Sequence, residues 1–188
     1  MDFQSVSVVI PAYNEGERIE STLGKLIEYL EKNFPRFEII VVDDGCGDDT
    51  AEKVKRAAET NPHIALVSYS PNRGKGFAVR QGMLRAANDA VLFTDADLST
   101  PVEEIEIALG ELARGFPVVI ASRRHPDSII ASRQSRAREI IGRIFNALVR
   151  LMIGLPHKDT QCGFKCFTRS AAQEVFGRAL INTFSFDV

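Results

Sequence analysis

The chain has 188 residues, 45% of them hydrophobic and 26% charged. That length suits one domain with a sizeable core, and the spread of apolar residues excludes disorder and low complexity. A net charge of −2 excludes nucleic-acid binding through bulk positive charge. In chain order, Val6 to Pro11 (VSVVIP) predicts a β-branched strand. Ile19, Leu23, Leu26, Ile27 and Leu30 stand at helical spacing and predict a helix over Glu15 to Asn33, broken by Pro35. Phe37 to Val42 predicts a second buried strand, and Asp48 or Asp49 is placed to cap a helix running to about Ala58. Ile64 to Tyr69 is a third strand, Lys75 to Ala87 a third helix and Ala90 to Thr94 a fourth strand. Pro101 opens the next helix, to Ala113, with Glu103 and Glu104 in its first turn. Val118 to Ser122 follows as a strand, then a basic helix from about Ser132 to Ile153 with Gly154 and Pro156 as stop signals. Phe164 to Phe167 predicts a last strand before a short helix.

This alternation predicts an α/β fold: a mainly parallel central sheet with helices on both faces, forming a single domain over 1–188. Three cysteines, Cys46, Cys162 and Cys166, argue against a disulfide scaffold and fit a reducing compartment. Met1-Asp2-Phe3-Gln4 is not the basic start of a signal peptide, and no apolar run is long enough to cross a bilayer, so a cytoplasmic location is expected.

In parallel sheets, ligands sit at the carboxyl ends of strands, and the polar clusters fall there. Asp95-Ala96-Asp97 follows the fourth strand. As structure it reads as a solvated, helix-capping turn. As chemistry it reads as a site for a hard divalent cation, which takes one or two carboxylates plus substrate phosphates. Asp43-Asp44-Gly45 follows the second strand and reads as a tight turn, or as a carboxylate for a base or ribose. Asn72-Arg73-Gly74-Lys75-Gly76 offers amides and two cations beside a helix start, which favours phosphate, although neither standard glycine-rich phosphate motif is met. Residues 123–150 carry seven arginines against Asp127 and Glu139, a local +5. They read as a solvated face of a core helix or as a surface for anionic lipid. Cys162, Cys166 and His157 fit no strong zinc pattern and read better as buried thiols.

Taken in order, Val9-Ile10-Pro11-Ala12-Tyr13-Asn14-Glu15, Val41-Val42-Asp43-Asp44-Gly45, Asn72-Arg73-Gly74-Lys75-Gly76, Asp95-Ala96-Asp97 and Ser122-Arg123 resemble the family-2 glycosyltransferases of the GT-A fold. Asp159-Thr160-Gln161-Cys162-Gly163-Phe164-Lys165 and Phe186-Asp187-Val188 resemble the dolichyl-phosphate sugar synthases, the glucosyl branch more than the mannosyl one. The resemblance implies that Pro11, Tyr13, Glu15, Val41 and Asp43 hold the base and ribose of a nucleotide-sugar. It implies that Asp95, Ala96 and Asp97 bind its diphosphate, with Mg²⁺ or Mn²⁺ on Asp95 and Asp97, and that Arg123 and Arg138 contact a lipid phosphate. Asp95, Asp97 and Arg123 are then the catalytic set. The chain departs from the family pattern at Cys46, Ser99 and Gly142, and relatives usually continue past Val188 and carry membrane helices, so a C-terminal truncation is expected.

The expected reaction is inverting transfer of a sugar from a nucleotide-sugar, UDP-glucose first and GDP-mannose next, to a polyprenyl or dolichyl phosphate. A phosphate acceptor is already anionic and needs positioning rather than a base. A sugar-hydroxyl acceptor would need a carboxylate, for which Asp159 is the candidate. Two other classes compete: a haloacid-dehalogenase-type phosphatase, whose nucleophile strand Phe93 to Ser99 imitates, and a non-catalytic nucleotide-sugar binding module. The expected partners are the donor, the lipid phosphate and, through the helix 132–153, the cytoplasmic face of a membrane, with no nucleic acid.

Overall fold

A computed structural model describes residues 3–122 and 162–182. The expectations for Arg123, Arg138, the helix 132–153, His157, Asp159 and Phe186-Asp187-Val188 lie outside these described residues. The elements are β1 (Ser5–Ala12), α1 (Ile19–Asn33), β2 (Arg36–Asp44), α2 (Thr50–Thr60), β3 (Ile64–Tyr69), α3 (Lys75–Arg85), β4 (Ala90–Phe93), α4 (Glu104–Ala113), β5 (Val118–Ile120), β6 (Lys165–Thr168) and α5 (Arg169–Arg178).

The six strands form one sheet in the order β3-β2-β1-β4-β6-β5. β1 sits between β2 and β4, and β3, β2, β1 and β4 all run parallel. β6 inserts antiparallel between β4 and β5, with Leu92 opposite Cys166 and Cys166 opposite Val119. The sheet is therefore mixed, with its parallel half carrying the strand ends that the sequence marks as polar.

Alternation along the strands builds a core on each face. Val6, Val8, Ile10, Ile39 and Leu92 face α1, α2 and α4, meeting Ile19, Leu23, Leu26, Leu30, Val54 and Ile105. Val9, Ile40, Val42, Val91 and Phe93 face α3 and α5, meeting Val79, Met83 and Phe176. Gly82 lets α3 lie close on β1, since a Cβ there would run into the Val9 side chain. Thr168 caps α5, its hydroxyl accepting from the Ala171 amide at 3.3 Å.

Boundaries differ from the sequence expectation where backbone amides find other partners. α1 begins at Ile19 rather than Glu15. The Glu15 amide donates to Thr50 Oγ1 at 2.8 Å and the Gly16 amide to Asp48 Oδ2 at 2.9 Å, which ties the turn before α1 to the start of α2. α3 stops at Arg85 rather than Ala87, whose amide donates to Glu38 Oε1 at 2.7 Å. α4 starts at Glu104, after a turn in which the Glu104 amide donates to the Pro101 carbonyl at 3.2 Å. Among the described residues, no helix is long and apolar enough to cross a membrane.

Candidate functional site

A cleft of about 340 Å³ opens at the carboxyl ends of the parallel strands. From the end of β1 come Pro11 and Ala12, and from the loop after it Tyr13 and Glu15. Tyr13 is half exposed, and Asn14 turns the chain through the left-handed region, φ 56°. The Asn14 side-chain oxygen accepts from the Gly47 amide at 2.8 Å, and its own amide donates to Cys46 Sγ at 3.2 Å. The loops after β1 and β2 are thereby tied together. Burial first, then the hydrogen bond with Asp43, pushes the Cys46 thiol up to about 11, so it is neutral near pH 7.

The two acids ending β2 part company. Asp43 is buried, and its carboxylate accepts from the Cys46 amide at 2.8 Å and the Ser68 hydroxyl at 2.5 Å. Asp44 reaches across to the Gly-rich loop and accepts from the amides of Arg73 at 2.8 Å and Gly74 at 2.9 Å, lining the cleft as it does so. Gly45 makes this possible: its φ is +71°, and a Cβ would lie 2.7 Å from the Asn72 nitrogen. Arg73 is stacked over the Phe77 ring at 3.7 Å, and Tyr69 meets the same ring edge-on.

Asp95, Ala96 and Asp97 form the floor after β4. Thr22 of α1 donates its hydroxyl to the Ala96 carbonyl at 2.5 Å, and Asp97 accepts from the Ser99 amide at 2.9 Å. Lys75 Nζ lies 2.6 Å from Asp95 Oδ1. Glu15 completes the acidic wall. Burial raises its carboxyl above the ordinary value, Arg18 at 2.9 Å opposes the shift, and the charges of Asp97, Asp95 and Asp48 add to it.

Of the residues singled out from sequence, Pro11, Tyr13, Glu15, Asp95, Ala96 and Asp97 line one cleft. Val41 is fully buried mid-sheet and Asp43 is engaged in its turn; neither is among the lining residues. Sequence reasoning left Asp44, Asn72, Gly74 and Lys75 out of the site set, although all four line the cleft. Lys75 carried a usable signal, a cation inside a glycine-rich loop. Asp44 carried none, because adjacent acids look alike until the chain's direction decides which one faces the cleft. Cys162 and Cys166 are buried, burial pushes the Cys166 thiol up to about 12, and among the described residues no cluster of three His, Cys, Asp or Glu converges as a metal site.

The chain matches glycosyl transferase family 2 over residues 7–176. It is 38% identical over 200 residues to a dolichyl-phosphate beta-glucosyltransferase of Drosophila melanogaster, covering 97% of this chain and 60% of that one. It is 37% identical over 193 residues to a protein of the same name from Trichomonas vaginalis, with coverage of 95% and 56%. The human dolichyl-phosphate beta-glucosyltransferase is 32% identical, with coverage of 98% and 61%. The chain thus spans about three fifths of the length of these curated relatives. Among solved structures, the Mycobacterium tuberculosis glucosyl-3-phosphoglycerate synthase in complex with Mn²⁺, UDP and phosphoglyceric acid superposes with a TM-score of 0.64 at 25% identity, covering 89% of this chain and 56% of that one. The Pyrobaculum calidifontis mannosyltransferase PcManGT, in complex with GDP-Man and Mn²⁺, superposes with a TM-score of 0.59 at 26% identity, with coverage of 92% and 46%. The fold is that of the GT-A glycosyltransferases, and with the family match spanning most of its length, the chain belongs to glycosyl transferase family 2.

Proposed function

We propose that this chain is the catalytic domain of an inverting hexosyltransferase that moves a sugar from a nucleotide-sugar, UDP-glucose before GDP-mannose, to a polyprenyl or dolichyl phosphate. The observation that carries the reading is that Asp95 and Asp97 line one cleft together with Pro11, Tyr13, Glu15 and Lys75. The names of the relatives supply the acceptor class.

Pro11, Tyr13, Glu15, Val41 and Asp43 hold the base and ribose. Asp43 retains acceptor capacity, since an ionised carboxylate offers about four lone-pair sites. The donor set at Asp95 and Asp97 is hard oxygen, which fits Mg²⁺ or Mn²⁺ completed by diphosphate oxygens. When bound, such an ion neutralises charge developing on the leaving nucleoside diphosphate. An acceptor phosphate oxygen attacks the anomeric carbon from the opposite side, the bond from that carbon to the nucleoside diphosphate breaks, and the diphosphate leaves with the electron pair. No proton has to be removed, so Arg123 and Arg138 act by holding and orienting the acceptor phosphate. The basic segment 132–153 meets the anionic cytoplasmic face of a membrane, where the lipid phosphate is delivered.

Asp97→Asn tests the reading. It should weaken binding of UDP or GDP in Mn²⁺ and change little in EDTA, read by calorimetry; equal affinities in Mn²⁺ would overturn it. Transfer assays separate the acceptors. Asp159→Asn should spare transfer to polyprenyl phosphate, whereas a sugar-hydroxyl acceptor would make Asp159 indispensable. Phosphatase activity without sugar transfer would point to the phosphatase class, and nucleotide-sugar binding without turnover to a binding module.

A further inference from the structure

We propose that Gly163 is a positioning residue for the donor site: the Asp95 carboxylate occupies the space its missing side chain leaves. This inference rests on the reading of Asp95 given above. Gly163 stands just before β6, where the returning chain enters the sheet beside β4. The residues that follow it are pinned. The Phe164 carbonyl accepts from the Ala121 amide at 3.2 Å, and Lys165 pairs with Phe93 of β4 and Ile120 of β5.

A Cβ built on Gly163 would overlap Asp95 Oδ2, and would lie 2.5 Å from Cγ and 3.0 Å from Oδ1. Among the described residues, the glycines with positive φ are Gly45, Gly74 and Gly115. Gly163 is not one of them, so close approach, not backbone conformation, is what calls for glycine here. Asp95 Oδ1 is held 2.6 Å from Lys75 Nζ. The carboxylate is therefore gripped between a lysine and a bare stretch of backbone. A side chain at 163 must turn it, because the carboxylate is the end of a flexible side chain whereas the backbone that follows Gly163 is paired in the sheet. The insertion of β6 next to β4 thus sets the aim of an acid that belongs to a different strand.

Gly163→Ala should leave the thermal unfolding temperature unchanged and weaken UDP binding in Mn²⁺ by roughly ten- to hundredfold, the scale expected when a binding group is misplaced by about an ångström. Binding of uridine, which has no phosphate, should be unaltered. Gly110→Ala is the control, since a Cβ there meets nothing within 4 Å; it should bind like wild type. In an Asp95→Asn background, Gly163→Ala should add no further loss. Wild-type affinity in Gly163→Ala overturns the inference alone. So does a full additional loss in the Asp95→Asn background, and so does loss of cooperative unfolding, because the overlap is with a side chain free to turn. If the wild-type protein shows no Mn²⁺-dependent binding of UDP, the reading of Asp95 fails and this inference falls with it.

Discussion

Asp43 and Asp44 are adjacent and both buried, yet they hold different things. Asp43 closes its own turn through the Cys46 amide and the Ser68 hydroxyl, while Asp44 caps the amides of Arg73 and Gly74. Removing the Asp44 carboxylate leaves two amides without their acceptor. Asp44→Ala should therefore cost about 1–3 kcal/mol in a urea unfolding curve, besides loosening the Gly-rich loop. Glu15 carries a pH dependence. Burial raises its carboxyl in the folded state, so the native protein binds that proton more tightly than the unfolded chain. Its contribution is fully present below the ordinary carboxylate value of 4.5 and is lost as pH rises through the raised one. Glu15→Gln should remove this fall. The unfolding temperature of the variant relative to wild type should then be higher at neutral pH than at acid pH, read by calorimetry across the two conditions.

At the scale of elements, the glycines separate packing from propensity. Gly24 lies in α1 with open space around its Cβ position, and Gly82 lies in α3 against Val9 of β1. Gly24→Ala should stabilise by about 0.5–1 kcal/mol through helix propensity. Gly82→Ala should destabilise by about 1–3 kcal/mol, because the methyl forces α3 away from the sheet. A denaturant curve of Gly82→Ala that shifts toward higher stability, as that of Gly24→Ala should, would show that the α3–β1 contact is looser than the structure has it. Element boundaries were legible where a periodic apolar face met a breaker. α1 ends at Asn33, before Phe34 and Pro35, where the helical spacing stops. Its start was not legible, because Asp48 and Thr50, more than thirty residues away in sequence, take the amides of Gly16 and Glu15.

Across the whole molecule, net charge −2 hides a strong local asymmetry, with +5 over residues 123–150. If that segment meets an anionic bilayer, each basic residue near the surface contributes about 1 kcal/mol of attraction. Changing Arg136, Arg143 and Arg150 together to Gln should lower co-sedimentation with phosphatidylserine vesicles and flatten its salt dependence. Arg138→Ala should instead impair transfer to lipid phosphate and spare nucleotide binding. Unchanged sedimentation of the folded triple variant at low salt would leave the arginines as a solvated face.

The sequence by itself determined the strand–helix alternation, the two-faced core and the placing of polar clusters at the ends of β1, β2 and β4, because each depends on periodicity and on short-range turn chemistry. Val6, Val8 and Ile10 against Val9 already assign the two faces of β1. Only the tertiary structure decided what depends on residues far apart in the chain. The insertion of β6 antiparallel between β4 and β5 depends on which edge the returning chain meets, and a four-residue strand buried on both faces carries no mark of its direction. The split between Asp43 and Asp44 was settled by the loop at Asn72 to Lys75, and the pairing of Lys75 with Asp95 by the crossing of α3 beside β4. Gly163 shows the difference most clearly. As a letter it is one more glycine, and only the close packing of the segment before β6 against the end of β4 places it on the Asp95 carboxylate.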